Sequence, residues 1–169
     1  MYTKDAIRFT LATAEEAVLS SLKTIQDTPT VFPTANGGCH PLWVMGHLAF
    51  VEGVAHEILS GGQNPAEDWA SLFGPGTTPT ADAATYPTLD EVRARYTKFR
   101  QKTLQLLDGL SEADLDRPTT KQPKGLEALF ATPGKSLLTI ALHQIGHKAQ
   151  LTDAFRSAGR VAQTVGAGV

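Results

Sequence analysis

Residues Thr88–Leu110, TLDEVRARYTKFRQKTLQLLDGL, decide the fold class. Thr88-Leu89-Asp90-Glu91 has the S/T-x-x-E pattern of a capping box, in which hydroxyl and carboxylate each satisfy a backbone N–H left over at a helix start. Leu89, Val92, Tyr96, Phe99, Thr103, Leu106 and Leu110 then recur in alternating steps of three and four, one face of a helix with 3.6 residues per turn. The spacing predicts a long amphipathic helix.

The same period recurs on both sides of it. Ile7, Leu11, Ala14, Val18, Leu22 and Ile25 predict a first helix from about Thr3 to Gln26, ended by Asp27-Thr28-Pro29, with a loop through the proline and glycines of Phe32–Gly38. Pro41 suits the first turn of a second helix, which Gly61-Gly62 stops after Ser60. Pro133–Ala158 reads as a fourth, with Leu137, Ile140, Ala141, Ile145, Leu151, Ala154 and Phe155 as its buried face and Gly159 as its stop. Gln63–Pro87, rich in Pro, Gly, Thr and Ala, is too long for an idle connection; with Trp69, Leu72 and Phe73 as anchors it predicts a crossover strap that lets helices two and three run in the same direction. Ser111–Asp114 caps one further turn, Arg117–Gly125 reads as a loop and Leu126–Phe130 as a short helix. With no alternating strand pattern and no repeat, the expectation is an all-α, four-helix bundle with a long crossover connection between helices two and three, one domain spanning residues 1–169.

Composition narrows the function. A hydrophobic fraction of 41% with 19% charged residues is that of an ordinary globular protein, and no run approaches the roughly 18 consecutive apolar residues of a membrane span. The early acid in Met1-Tyr2-Thr3-Lys4-Asp5 does not fit a secretory signal, so a soluble, cytoplasmic protein without a membrane partner is expected. A net charge of −2 gives no reason to expect nucleic acid. Cys39 is the single cysteine, which excludes intrachain disulfides and multi-cysteine zinc sites. Any metal needs histidine or oxygen ligands.

Of the five histidines, His143 and His147 lie one helical turn apart and project from one face, the spacing of two ligands on one ion. Leu142, Ile145 and Ala141 are interleaved with them, which predicts an inward orientation. His47 sits in the apolar run Leu42–Val51 and should also point inward, where an imidazole without a partner is costly. One shared metal held by His47, His143 and His147 explains all three better than separate hydrogen bonds do. His56 is turned about 180° from His47, and His40, just before Pro41, is a capping-region residue that at best supports the site from behind. An inert Cys39 is the simpler reading of that thiol. Neither Glu52, about 140° round from His47, nor Glu57, about 80° away, is placed as a general base. Gln150 roughly shares the face of His147 and is a candidate to orient a ligand, beside the plainer reading as a polar bundle position.

Cys39-His40-Pro41-Leu42-Trp43-Val44-Met45-Gly46-His47-Leu48-Ala49 looks like the W-x-x-G-H-L signature, and His143-Gln144-Ile145-Gly146-His147-Lys148-Ala149-Gln150-Leu151 like the H-x-x-x-H-[RK]-[GA]-Q motif, of the DinB/YfiT-like superfamily of metal-dependent enzymes. The chain resembles that family over nearly its whole length. The resemblance implies a four-helix bundle, a metal on His47, His143 and His147, and often a homodimer. It also implies relatives that transfer or isomerise with bacillithiol, mycothiol or glutathione.

Three imidazoles leave a coordination position open, as in catalytic sites. The expected function is a metal-dependent enzyme acting on a small-molecule substrate, either a hydrolase or a transferase using a low-molecular-weight thiol. Zinc or nickel is favoured as the divalent ion, with iron also suited to these ligands. The alternative is a non-catalytic metal-binding or interaction protein in which the ion ties two helices together. An open position at the end of an apolar cleft separates the two.

Overall fold

The computed structural model describes residues 2–23, 30–32 and 38–157; the expected end of the first helix after Lys23, most of the loop before Gly38 and the expected stop after Ser157 lie outside them. In chain order the helices are α1 (Thr3–Lys23), α2 (Pro41–Ser60), the one-turn α3 (Ala70–Phe73), α4 (Leu89–Gly109) and α5 (Pro133–Ser157). The described residues contain no strand.

Each long helix forms for the reasons its sequence gives. The capping box of α4 is present, with Glu91 N–H donating to the Thr88 hydroxyl and Thr88 N–H donating to the Glu91 carboxylate. His40 is the N-cap of α2, its Nδ1 accepting from Trp43 N–H, and Gly61 closes that helix at φ +72°, a conformation glycine adopts freely. On α1 the expected face, Ile7, Leu11, Ala14, Val18 and Leu22, is buried. On α4 the buried face is Val92, Tyr96, Phe99, Arg100, Thr103 and Leu107, while Leu89, Leu106 and Leu110 are only half-buried.

Helix directions follow from which ends meet. Ile7, Leu11 and Ala14 cluster with Leu137 and Ala141, and Val18 and Leu22 with Leu151 and Phe155, so α1 and α5 run the same way. Met45 and Leu48 cluster with Val92 and Tyr96, and Leu59 with Leu107, so α2 and α4 also run together. Between α2 and α5 the order reverses, with His47 beside His147 and Ile58 clustered with Ile140. α2 is the central helix; it is long and apolar enough to cross a membrane, but 83% of that stretch is buried inside the bundle, as in a core helix.

The connection from α2 to α4 is a packed strap, with Trp69 and Phe73 buried, Leu72 half-buried, and short turns at Glu67–Trp69 and Ala83–Thr85. Asp114 is capped by Ser111 at the expected turn, which continues as a 3-10 helix over Ala113–Asp116. Leu126–Phe130 is not a helix. It is a pair of turns closed by Leu129 and Phe130 N–H on the Leu126 carbonyl, because only a few residues separate Pro123 and Gly125 (φ +81°) from the start of α5.

Candidate metal centre

α5 presents His143 and His147 one turn apart, and α2 brings His47 to them from the facing, antiparallel direction. The ligand-capable atoms of the three lie within 4.8 Å of one another. His143 Nε2 is 3.1 Å from His147 Nε2 and 3.4 Å from His47 Nε2. Metal–nitrogen bonds of about 2.0–2.1 Å place ligand nitrogens about 2.8–3.4 Å apart at octahedral or tetrahedral angles, so the two spacings from His143 fit a shared ion, while His47 and His147 are held only to within 4.8 Å of each other.

The outer nitrogens set the tautomers. His47 Nδ1 is 2.7 Å from the Phe73 carbonyl, which can only accept, so His47 carries its proton on Nδ1 and turns the Nε2 lone pair inward. His147 Nδ1 donates to Gln150 Oε1 at 2.8 Å with the same result. The orienting role open to Gln150 in the sequence is realised here on a histidine. His143 has no hydrogen-bond partner outside the triad among the described residues, and its Nδ1 is buried and unpaired. A bundle that satisfied each histidine separately would supply one.

Burial, then the rings of His147 and His47, pushes the His143 imidazole down to about 3. Burial and His47 push His147 down to about 4 against the pull of Gln150. Burial lowers His47 too, despite the Phe73 carbonyl. All three are therefore neutral at pH 7, the state in which imidazole binds metal.

The strap holds this geometry from behind. Trp43 stacks on His47 with ring centroids 4.9 Å apart and 7° between planes, and its Nε1 donates to the Leu72 carbonyl at 3.0 Å. Gly46 lets the strap approach, because a Cβ there would sit 2.2 Å from the Phe73 ring. The glycine before His47 thus admits the residue whose carbonyl orients His47. This backbone contact was not foreseen from the sequence; its one trace is a glycine inside a strongly apolar helix.

The other candidates fall away from the triad. His56 Nε2 donates to the Phe99 carbonyl at 2.9 Å, between α2 and α4. His40 donates from Nε2 to the Thr80 carbonyl at 3.0 Å and reaches the site only through Trp43. Burial raises the half-buried Cys39 thiol, in keeping with an inert residue. Glu57 pairs with Lys121. Glu52 is buried against Arg100 at 2.6 Å, the Thr103 hydroxyl at 2.7 Å and the Gln144 amide at 2.9 Å; burial pushes its carboxyl up while these partners pull it back.

One expectation is corrected. Leu142 is 68% and Ile145 42% exposed, so they do not accompany the histidines inward. They lie about 100° and about 160° round α5 from His143, on the outer side, while Ile140, Ala141 and Gln144 share the buried side.

A cavity of about 370 Å³ opens onto His47 and His143, lined by Phe50, Val51 and Val54 of α2, Ile140 of α5, and the turns carrying Leu126 and Leu129. A comparison with curated proteins gives no match. The family model of the DinB superfamily matches residues 10–151, most of the chain and both histidine-bearing helices. The chain belongs to the DinB superfamily.

Proposed function

We propose that this protein is a metal-dependent enzyme whose divalent ion, zinc or nickel by ligand type, with iron also suited, is held by His47, His143 and His147. The cavity at the triad carries this reading: a purely structural ion has no use for an apolar chamber of ligand size, about 300–1,000 Å³, at its open side. Bound there, the ion supplies Lewis acidity to a water or a thiol.

The chain's own residues set the rest. Phe73 and Gln150 hold two imidazoles in the binding tautomer, Trp43 fixes the plane of His47, and the apolar walls exclude bulk water. With Glu52 and Glu57 both engaged elsewhere, neither carboxylate of α2 takes the proton. The described lining of the cavity holds no charged side chain, which favours water over an anionic low-molecular-weight thiol as nucleophile, and so a hydrolase over a thiol transferase.

The test is a paired screen of zinc-loaded and nickel-loaded protein: neutral esters and amides in one arm, glutathione with an aryl halide in the other. Metal-dependent turnover in the first arm, lost in His143→Ala, is expected. Turnover confined to the thiol arm overturns the choice of nucleophile, and none in either arm, with metal bound, returns the non-catalytic reading.

A second copy of the chain is the partner we propose. Leu138, Leu142 and Ile145, three to four residues apart on the outer side of α5, are all exposed, a stripe and not a scattered set.

A further inference from the structure

The chamber beside the triad is walled by hydrocarbon. Among the described residues, Thr139 is its one polar lining side chain apart from the two histidines, and that hydroxyl already donates to the Leu129 carbonyl at 3.2 Å. Charge lies elsewhere: the larger groove, of about 850 Å³, is lined by Arg95, Lys98 and Lys102 of α4 and shares no lining residue with the chamber.

The outer wall is the segment between the 3-10 helix Ala113–Asp116 and α5, part of which the sequence led one to expect as a short helix. Its base is stapled, with Thr119 N–H on the Ala131 carbonyl at 3.0 Å and the Thr119 hydroxyl on the Phe130 carbonyl at 2.6 Å. Phe130 is buried, yet Leu126 and Leu129 are left 45% and 50% exposed at the chamber. Two large apolar side chains are thus held in place by the backbone without being used up in the core.

We propose that the substrate is a small neutral molecule with an aryl or branched hydrocarbon body, seated between Leu126, Leu129 and the Phe50–Val54 stretch of α2, its reacting group at His47 and His143. This rests on the metal-dependent reading for the reaction, though not for the binding. A carboxylate or phosphate on that body, away from the reacting group, would exchange water for described walls that hold no charged side chain, so the chamber selects by charge as well as by shape. Leu126 and Leu129 are then specificity residues.

The test uses the full chain freed of metal by chelation, titrated with 2-naphthol and with 2-naphthoate at pH 7 and followed by naphthalene fluorescence. The probes share a ring system and differ in charge. A preference of at least tenfold for 2-naphthol is expected, falling below threefold in Leu129→Arg. A preference under tenfold, or no binding of either, overturns the proposal; a preference unchanged in both Leu129→Arg and Leu126→Arg overturns the seat. Either half-exposed site serves if the other variant fails to give the far-ultraviolet spectrum of the parent. Naphthol selectivity without metal uptake would remove the metal reading and leave the chamber. Metal uptake without selectivity would remove only the substrate class.

Discussion

A Cβ at position 46 would meet the Phe73 ring at 2.2 Å, so Gly46→Ala must displace that buried ring and is expected to loosen the hold of the Phe73 carbonyl on His47 Nδ1. An approximately tenfold loss of zinc affinity in a competition titration is expected, within the 10–100-fold range typical of losing a partner that orients a metal ligand. Gln150→Leu should lose affinity on the same scale, while Gln150→Glu, which still accepts from His147 Nδ1, should keep it. Equal affinities for the two Gln150 variants would show that the side chain does not orient His147. At this scale the triad was legible, since a four-residue spacing and a histidine among apolar residues are properties of the string. The Phe73 carbonyl was not, because a main-chain acceptor 26 residues from its histidine leaves no side-chain mark.

Among the elements, α5 shows where periodicity stops being informative. It is apolar on two sides, Leu137, Ile140 and Ala141 within and Leu138, Leu142 and Ile145 without, so spacing alone placed Ile145 with the core. If the outer side pairs two copies, Leu142→Lys should convert a dimer to a monomer in sedimentation without lowering the melting temperature of the monomer. A parent chain already monomeric at high micromolar concentration would remove that interface. The buried Glu52–Arg100 pair, joining α2 to α4 and, through Gln144, to α5, was equally invisible in sequence, since nothing local marks residues so far apart as partners. Arg100→Leu leaves the carboxylate buried and without its cation and should cost about 3–5 kcal/mol in denaturant unfolding; the double variant with Glu52→Leu should cost less.

For the whole molecule, the lowered histidines make stability depend on pH. His143 at about 3 and His147 at about 4, with His40, His47 and His56 also below their ordinary value, refuse protons that the unfolded chain takes up from about pH 6.5 downward. Their contribution is complete above that pH and is lost progressively as pH falls from there to about 3. The raised carboxyls of Glu15 and Glu52 act in the opposite sense, while the lowered carboxyls of Asp68, Glu91, Asp114 and Glu127 act with the histidines. Metal-free protein should therefore show denaturation midpoints that fall steadily from pH 7 to pH 4.5, and a flat profile would contradict the burial of the imidazoles. The long helices and the crossover were readable because amphipathic period and breakers are local; the chamber was not, because its walls come from α2, α5 and a turn that only packing brings together.

The most direct test is metal content per chain by elemental analysis of protein purified without an affinity tag, comparing the parent with His143→Ala. About one equivalent in the parent and none in the variant is the expected result. No metal in the parent, even after incubation with zinc or nickel, would contradict a metal centre at His47, His143 and His147.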